Sequence, residues 1–467
     1  MIDRSWIARL GRAALLASLL AGPVAATTVA QPRPIDGAPT SGDPYFPNEG
    51  NGGYDVAHYD LDLTVNPKRR TIRGVATIDL VPDAALRSFT LDLAGYTVSS
   101  VTVDGARAAF SRPNRKVRVT PAQPLDAGVP ATVQIRWSGK PVTKQRTGWL
   151  WFEDGGALVS TQTNGASTLF PANDHPSDKA SVAVSVAVPK RSRAVANGLP
   201  EGSPSRRRFA WREDEPMPTN AVVVAVGRLS VRQSAGPDGL PIVDAYPRQH
   251  AKRLTRRFAR QGQIIRVLEQ YFGPYPYSAA GVVVLPMNGL DPIEAAGRPS
   301  FPDLDYALKD RELGQMLAHE IAHQWAGNSV TPATWKDIWL SEGFATYGEL
   351  LWIAEDRGVP IGSLFARNSD VFLYAPAMNR PPGDPGRNDP FNLTVYNRGA
   401  LTLEALRRTV GDDDFYEILR TWMTENRNQN VSTADFIALA ERISGDDLDA
   451  LFERWLYTPG LPNLPPG

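Results

Sequence analysis

The pattern H-E-I-A-H at residues 319–323, followed by Glu342, constrains the fold of this chain more than any other feature. A helix turns once every ~3.6 residues, so His319 and His323 lie on one helical face and can offer two imidazole nitrogens to one ion. Glu320 lies between them and is a candidate general base. A catalytic zinc also needs a third protein ligand and an open position for water. Glu342, which opens a second helix-like stretch, is the candidate for that ligand.

The alternative interpretation is that these are two ordinary histidines on a helix surface. Histidine occurs only 5 times in the chain. A chance match to H-E-x-x-H is therefore expected in on the order of a few such chains per thousand. The same segment is also amphipathic, with an apolar face supplied by Leu313, Met316, Leu317, Ile321 and Trp325. The pattern therefore predicts a zinc site.

Length and composition limit the other possibilities. At 467 residues the chain is long for one domain, and two domains are expected. Lys and Arg together number 50, as do Asp and Glu, so no net charge favours nucleic acid or an anionic membrane as a partner. The absence of cysteine excludes thiol catalysis, disulfides and cysteine-ligated zinc.

Residues 1–30 have the three-part form of a secretory signal peptide. Arginines form a basic opening, an apolar run follows at residues 13–21, and small residues allow cleavage after Ala26 or Ala30. The alternative is a disordered or anchoring N-terminal helix. No later segment reaches ~18 uninterrupted apolar residues, so we expect a mature chain without stable membrane insertion. The expected location is the periplasm or the outside of the cell.

Hydrophobic periodicity divides the rest of the chain. Residues 31–51 are rich in Pro, Gly and Asp and predict an extended leader. Residues 52–232 alternate with period two between turn residues, which predicts a domain of antiparallel strands. Residues 233–239 are typical of a linker, and helical spacing dominates from residue 240 to residue 467. The predicted helices are His250–Phe272, Leu304–Asn328, Leu340–Asp356, Tyr396–Val410, Asp412–Glu425, Thr433–Ile443 and Asp447–Leu456.

Taken together, these motifs mean that the chain resembles the aminopeptidase N family of gluzincin metallopeptidases. Eighteen residues separate His323 from Glu342, as in the family's H-E-x-x-H-x18-E motif. Residues 396–400 are similar to the family's Y-x-K-G-A stretch, and the opening at residues 42–55 is similar to that of secreted bacterial members. Further matching segments are Phe170-Pro171 with residues 173–180, Pro216 to Thr219, Gln324-Trp325, Gly327-Asn328, Trp339 and Glu342 to Ala345.

The resemblance implies a multi-domain α+β fold. An N-terminal antiparallel β saddle or sandwich domain, residues 52–232, would be followed by a mainly helical, thermolysin-like catalytic domain, residues 240–467. Many relatives carry a large helical domain beyond the catalytic one, whereas this chain stops at Gly467 after a short helical end. We therefore expect a comparatively open active-site cleft.

The resemblance also implies a role for each candidate catalytic residue. His319, His323 and Glu342 would hold one zinc ion per chain, which lowers the pKa of its water toward ~7. Glu320 would take the proton of that water and later pass it to the leaving amine. The Tyr396 hydroxyl would stabilise the oxyanion of the transition state. The alternative for this tyrosine is a packed surface residue.

Two further residues are expected to bind the substrate. Glu294 would bind the α-ammonium group of a peptide and so fix the cut at the first residue, the alternative being a strand-end carboxylate in solvent. Gln162 is a candidate contact to the same N-terminus, the alternative being a satisfied polar core residue. The family's G-x-M-E-N loop is present only as D-P-I-E-A at residues 291–295, where Pro292 has no N–H to donate. Asn164 stands where many relatives have a second acidic residue.

Three functions remain open on these observations. The first is a secreted zinc aminopeptidase that removes N-terminal residues from peptides. The second is a zinc peptidase with endo- or dipeptidyl specificity, which the altered loop favours. The third is an inactive peptide-binding relative, against which the intact Glu320, Glu342 and Tyr396 argue. Peptides, and not nucleic acid, are the expected partners in each case, and no pattern predicts the preferred first residue or the oligomeric state.

Overall fold

The computed structural model describes residues 33–142, 147–202, 207–287, 290–303, 309–366, 372 and 376–466. The signal peptide predicted at residues 1–30 lies outside these ranges. Within them, no helix combines the length and the apolar character that crossing a membrane requires.

Alternating side chains build the N-terminal part of the molecule, in which strands dominate. In the long strand β2 (Tyr54–Asn66), Tyr59 and Leu61 are buried, whereas Asp60 and Asp62 beside them are exposed. This period-two pattern is expected of strands that cover a core with one face. The other strands of this part are β1 (Ile35–Asp36), β3 (Thr71–Pro82), β4 (Leu86–Asp92), β5 (Tyr96–Val103), β6 (Ala106–Arg107), β7 (Ala109–Ser111), β8 (Lys116–Thr120), β9 (Ala131–Gly139), β10 (Gly148–Trp151), β11 (Ala157–Ser160), β12 (Lys179–Ala187), β13 (Arg193–Ala196), β14 (Leu199–Glu201), β15 (Arg208–Pro218) and β16 (Val224–Gly227).

The sheets of this part are mainly antiparallel, as predicted. The largest has the strand order β14-β15-β12-β2-β3-β9-β5-β6, and two smaller sheets have the orders β1-β4-β8-β7 and β10-β11-β16-β13. Two of the neighbouring pairs are parallel, β2 with β12 and β1 with β4. A parallel pair needs a long connection between its strands. Residues 67–178, which form several strands of their own, supply that connection between β2 and β12.

The segment predicted as a linker contains the end of one strand and the turn into the next. Strands β17 (Leu229–Ala235) and β18 (Pro241–Pro247) pair antiparallel over their full length. The short strands β19 (Val283–Leu285) and β20 (Ser300–Pro302) extend this sheet in parallel. Glu294 lies in the segment between β19 and β20, so the edge of this sheet positions part of the candidate site.

Helices dominate after residue 250, and the periodic stretches predicted most of them closely. The predicted range Asp412–Glu425 is a helix with the same bounds, whereas the predicted helix His250–Phe272 is two helices. At Phe258 the backbone leaves helical geometry (φ −93°, ψ 12°), and the ring packs edge-on against Phe301. The helices are α1 (Ala251–Arg257), α2 (Gln261–Phe272), α3 (Asp310–Ala322), α4 (Trp339–Arg357), α5 (Ile361–Leu364), α6 (Leu393–Val410), α7 (Asp412–Glu425), α8 (Thr433–Ser444) and α9 (Asp449–Phe452), with a π-helical turn at Glu453–Tyr457 and the short strands β21 (Thr331–Pro332) and β22 (Asn430–Val431).

Helices α4 and α6 cross closely at two glycines. A Cβ added to Gly399 would lie 2.9 Å from Cα of Gly343, closer than carbon atoms pack without strain. Glycine on both helices therefore allows the two backbones to touch. Glu342 directly precedes Gly343, and Tyr396 lies about one turn before Gly399. The crossing therefore brings the two helix segments that carry these residues together.

The core of the molecule follows the same division. Tyr59, Trp137 and Phe170 belong to a hydrophobic cluster built mainly by the strands, whereas Trp325 and Trp339 belong to one built mainly by the helices. A β-rich part followed by a helical part confirms the predicted α+β fold class. The limits of the two predicted domains, residues 52–232 and 240–467, stay a prediction.

Candidate metal centre and active site

The three predicted metal ligands lie on two packed helices. His319 lies in the last turn of α3, and His323 follows directly after that helix, one turn further along the same face. Glu342 lies in the first turn of α4. Because α3 and α4 are neighbours, the carboxylate of Glu342 reaches the two imidazoles from the opposite side. The spacing in the sequence and the packing of the helices thus bring together the same three side chains.

The ligand atoms converge on one point. Nε2 of His319 lies 3.1 Å from Nε2 of His323, and Oε2 of Glu342 lies 3.5 Å and 3.3 Å from these two nitrogens. Tetrahedral zinc with ligands at about 2.0–2.1 Å has edges of roughly 3.3 Å, so the three separations fit such an ion. Two imidazoles and a carboxylate are also a donor set that zinc prefers. The residues present therefore fit zinc.

The other ring nitrogen of each histidine is held by a neighbour. Nδ1 of His323 lies 3.0 Å from the carbonyl oxygen of Ala326, to which it donates, and 3.2 Å from Oγ of Ser341. Nδ1 of His319 lies 3.6 Å from a carboxylate oxygen of Glu349. The 3.0 Å contact fixes the tautomer of His323, and the nearby Glu349 carboxylate favours a proton on Nδ1 of His319, so that Nε2 of each ring is free to bind the metal.

Two acidic residues near the motif, Glu349 and Asp337, could hold a ligand histidine, and the structure places Glu349 beside His319. The spacing indicates Glu349, because this residue lies seven positions after Glu342 and therefore two turns along the same face of α4. Asp337 instead accepts hydrogen bonds from the hydroxyls of Thr334 and Thr433. Ser341 belongs to no recognisable motif, and its contact with His323 is seen only in the packed helices.

The electrostatics of the site favour an ionised Glu342 carboxylate beside the two histidines. Burial alone would raise the pKa of Glu342, but the nearby His323 and His319 outweigh burial and lower that pKa to about 2. Burial lowers the pKa of His319, but its contacts with Glu342 and Glu349 outweigh that effect and raise it well above the ordinary value. Glu342 is therefore a carboxylate at neutral pH, which is the form that binds a metal.

The carboxyl of Glu320 is buried next to the metal ligands. It is buried in the last turn of α3, and its Oε2 has no hydrogen-bond partner among the residues that the structure describes. Burial raises the pKa of this carboxyl, while the neighbouring imidazoles oppose the rise. A buried carboxylate oxygen without a partner is costly unless a ligand satisfies it. Glu320 is therefore available to a water or a substrate at the metal centre.

Tyr396 lies beside the metal ligands, in the first turn of α6. The side chain of Asn392 caps this helix by accepting a hydrogen bond from the backbone N–H of Thr394, at 3.1 Å. The Tyr396 ring is stacked near that of His319, with centroids 6.0 Å apart and planes inclined by 26°. Burial raises the pKa of Tyr396 well above its ordinary value, so its hydroxyl stays protonated and can donate a hydrogen bond.

The two predicted substrate-binding residues contact each other. Nε2 of Gln162, which follows strand β11, donates a hydrogen bond to Oε1 of Glu294. Burial raises the pKa of Glu294 to about 8, and the charge of His323 opposes this rise. The carboxyls of Glu342 and Glu320 raise the same pKa, so Glu294 interacts with the charges of the metal centre. A cation bound beside Glu294 would favour its ionised form.

The altered loop that carries Glu294 is firmly anchored. Ile293 and Ser300 exchange two backbone hydrogen bonds of 2.9 Å and 2.8 Å, and the side chain of Gln324 accepts one of 2.6 Å from the backbone of Gly297. Buried Arg298 donates to the carbonyl oxygen of Val243 at 3.0 Å and lies 4.9 Å from the centre of the Trp211 ring. The loop that carries Glu294 is therefore fixed by hydrogen bonds even though it differs from the family's G-x-M-E-N sequence.

Comparisons with known proteins identify the family. The N-terminal domain of peptidase family M1 matches residues 56–220, and the peptidase family M1 domain matches residues 258–455. A structure of an M1 zinc metallopeptidase from Deinococcus radiodurans is 33% identical, covers 91% of this chain and 98% of its own, and superposes with a TM-score of 0.81. The chain belongs to peptidase family M1 and is a zinc metallopeptidase. The predicted family, enzyme class and zinc cofactor are confirmed.

Curated relatives are longer than this chain. Tricorn protease-interacting factor F2 from Thermoplasma acidophilum is 25% identical, and the match covers 89% of this chain and 54% of the relative. Leucine aminopeptidase 2 from Yarrowia lipolytica is 26% identical, over 86% of this chain and 67% of the relative. The chain thus spans about half to two thirds of the length of these relatives, whereas it spans nearly the whole of the Deinococcus enzyme.

The structure brings all of the predicted site residues to one region. His319, His323 and Glu342 form the metal centre, Glu320 and Tyr396 flank it, and the Gln162–Glu294 pair adjoins it. The metal ligands and Glu320 come from α3, the residue after it and α4, whereas Tyr396 comes from α6 and the Gln162–Glu294 pair from two loops. Their individual roles in catalysis and binding stay predictions.

Proposed function

We propose that the protein is an aminopeptidase that removes the first residue of peptides with a free N-terminus. One observation carries this proposal: the carboxyl of Glu294 is held by Gln162 and lines a small cavity together with Ser341, which contacts His323. A carboxyl that a bound cation keeps ionised is what an exopeptidase needs beside a peptide-cleaving site to bind an α-ammonium group. Leucine aminopeptidase 2, a relative of this chain, has such an activity in its name.

Binding of the substrate follows from the hydrogen-bonding capacity of this pair. Gln162 donates from its amide nitrogen to Oε1 of Glu294, which leaves Oε2 of Glu294 and the amide oxygen of Gln162 as acceptors. An ammonium group offers three donors and a positive charge, so it can satisfy both acceptors at once. Because the ammonium is bonded to the first α-carbon, this contact places the first peptide bond toward the metal centre.

The chain's own groups can carry the protons of the reaction. Zinc, when bound by His319, His323 and Glu342, polarises the scissile carbonyl and acidifies water. Glu320, whose Oε2 is otherwise without a partner among the described residues, takes a proton from the attacking water and returns it to the leaving amine. Tyr396 donates its hydroxyl proton in a hydrogen bond to the oxyanion that develops on the carbonyl.

The Deinococcus enzyme supports a free peptide as the substrate class. A variant of that enzyme has been solved bound to a Tyr-Ser-Ala substrate, and it is 32% identical to this chain with a TM-score of 0.81. An endo- or dipeptidyl specificity remains the second candidate, because Pro292 removes one backbone donor from the loop that carries Glu294. We also propose secretion, on the basis of the signal-like residues 1–30. N-terminal sequencing of the protein exported by its host tests this point.

Hydrolysis of matched free and N-acetylated tripeptides tests the aminopeptidase proposal. Acetylation removes the positive charge that Glu294 binds, so we expect cleavage of the free peptide alone, after its first residue. Mass spectrometry of the products identifies the bond that is cut. Equal cleavage of both peptides, or release of dipeptides, would instead establish the second candidate.

A further inference from the structure

A cavity of about 710 Å³ adjoins the Gln162–Glu294 pair. Gln162 itself lines this cavity, as does Ile293, the residue before Glu294. Phe391, which precedes α6, lines another side. The cavity is large enough for the largest amino-acid side chains. One of its walls is Phe46, which comes from the leader segment rather than from either predicted domain.

The leader loop, residues 42–50, is fixed to the helical part by a buried carboxylate. Oδ1 of Asp43 accepts hydrogen bonds from the backbone N–H groups of Tyr45 and Phe46, at 2.7 Å and 2.8 Å. Its other oxygen accepts one of 2.9 Å from the backbone N–H of Trp335 and lies 3.2 Å from Nε2 of His175. Asp43 therefore fixes both the turn of the loop at Phe46 and its position beside Trp335.

Two further contacts hold the leader loop on either side of Phe46. The Tyr45 hydroxyl contacts the carboxylate of Asp384 and accepts a 2.9 Å hydrogen bond from the backbone N–H of Gly386. Oε1 of Glu49 accepts a hydrogen bond of 2.9 Å from Nδ2 of Asn164, two residues after Gln162. The loop is thus tied both to the segment before α6 and to the segment that carries Gln162.

Phe46 completes an aromatic wall. Its ring meets that of Trp335 edge-on, with centroids 5.8 Å apart, and Trp335 lies 5.9 Å from the ring of Phe391. Phe46 is only half-buried, so part of its ring faces the cavity. A ring fixed in this way can contact an apolar or aromatic group without losing further conformational entropy.

We propose that Phe46 is a specificity-determining residue that contacts the side chain of the substrate's first residue and favours aromatic and large apolar side chains. The proposal rests on the aminopeptidase function above. If the Gln162–Glu294 pair binds the α-ammonium group, the first side chain leaves the adjacent α-carbon next to Gln162. The cavity that Gln162 shares with Phe46 is then open to this side chain.

Steady-state kinetics with phenylalanine and alanine 4-nitroanilides test this assignment on the full-length zinc-loaded enzyme. An aromatic contact is worth about 0.5–1.5 kcal/mol, so Phe46→Ala is expected to lower kcat/KM about two- to tenfold for the phenylalanine substrate. The methyl group of the alanine substrate forms no aromatic contact, and its kcat/KM should change by less than about twofold. Phe110→Ala makes the same chemical change on an exposed residue of strand β7 that is not among the residues lining the cavity, and it should leave both values unchanged.

Each outcome decides the proposal. Equal losses for both substrates, or no loss for either, would show that Phe46 has no role in specificity. If Phe46→Ala does not fold, Phe46→Leu keeps most of the apolar volume and is expected to lower kcat/KM for the phenylalanine substrate relative to a leucine substrate. An unchanged ratio would then overturn the proposal. Failure of the aminopeptidase function is distinguishable, because the wild-type enzyme would then hydrolyse none of these substrates.

Discussion

The crossing of α4 and α6 gives a sharp test of how the fold positions the site. In the Gly399→Ala variant, the new Cβ would lie 2.9 Å from Cα of Gly343. Ordinary contacts between carbon atoms are about 3.5–4.0 Å, so the two helices must separate by roughly 0.6–1.1 Å. Glu342 and Tyr396 lie on either side of this contact, and their separation is expected to increase with that of the helices.

The size of this displacement sets the expected losses of stability and of activity. Overpacking of this kind costs about 1–3 kcal/mol, and the higher helix propensity of alanine offsets about 1 kcal/mol of it. We therefore expect Gly399→Ala to lose up to about 2 kcal/mol of unfolding free energy. A misplacement of about 1 Å in an active site can cost about 100-fold in rate, so kcat/KM should fall roughly 10- to 100-fold.

Urea denaturation and peptide hydrolysis measure the two effects, and Gly314→Ala is the matched control. Gly314 lies inside α3, and a Cβ added there meets no atom within 4 Å. The control should be as active as the wild type and more stable by up to about 1 kcal/mol. If Gly399→Ala matched this control in both stability and kcat/KM, the close crossing would have no role in positioning the site.

Three further predictions concern single side chains. Tyr396→Phe keeps the ring but removes the hydroxyl, so we expect kcat to fall about 10²- to 10³-fold. Zinc content and KM for a tripeptide should change little. An unchanged kcat would exclude the oxyanion role. Glu349→Gln weakens the contact to Nδ1 of His319, and competition with a chelator should show zinc affinity reduced about 10-fold or more, whereas equal affinity would remove Glu349 from the metal centre. Burial raises the pKa of Asp174 to about 8, above its value in the unfolded chain, so its protonation stabilises the fold at low pH and this contribution is lost as pH rises through about 8. Asp174→Asn should flatten the fall in unfolding free energy between pH 5 and pH 8, and an unchanged slope in urea titrations would contradict the assignment.

The sequence predicts the features that depend on local spacing. The helical period predicts α7 with its observed bounds and places His319 and His323 on one face. The family's spacing from His323 to the third ligand identifies Glu342. The alternation of β2 predicts which of its residues are buried. The helix and strand patterns repeat within a short stretch of chain because one face of each element packs against the core.

Features that depend on distant contacts are not predicted. The parallel pairing of β2 with β12 joins residues more than a hundred positions apart, and no pattern within either strand indicates it. The break between α1 and α2 follows from the packing of Phe258 on Phe301. The leader was predicted only as extended, yet Asp43 fixes it through contacts with Trp335 and His175. These contacts form only in the packed fold, so they cannot be predicted from the composition of the segments that make them.

The central claim is that His319, His323 and Glu342 bind one zinc ion. The most direct measurement is the metal content of the purified protein by inductively coupled plasma mass spectrometry, for the wild type and for His323→Ala and Glu320→Gln. We predict about one zinc per chain in the wild type and in Glu320→Gln, which should be inactive, and strong loss of zinc in His323→Ala. Wild-type protein without zinc after zinc loading, or His323→Ala with undiminished zinc, would contradict the claim.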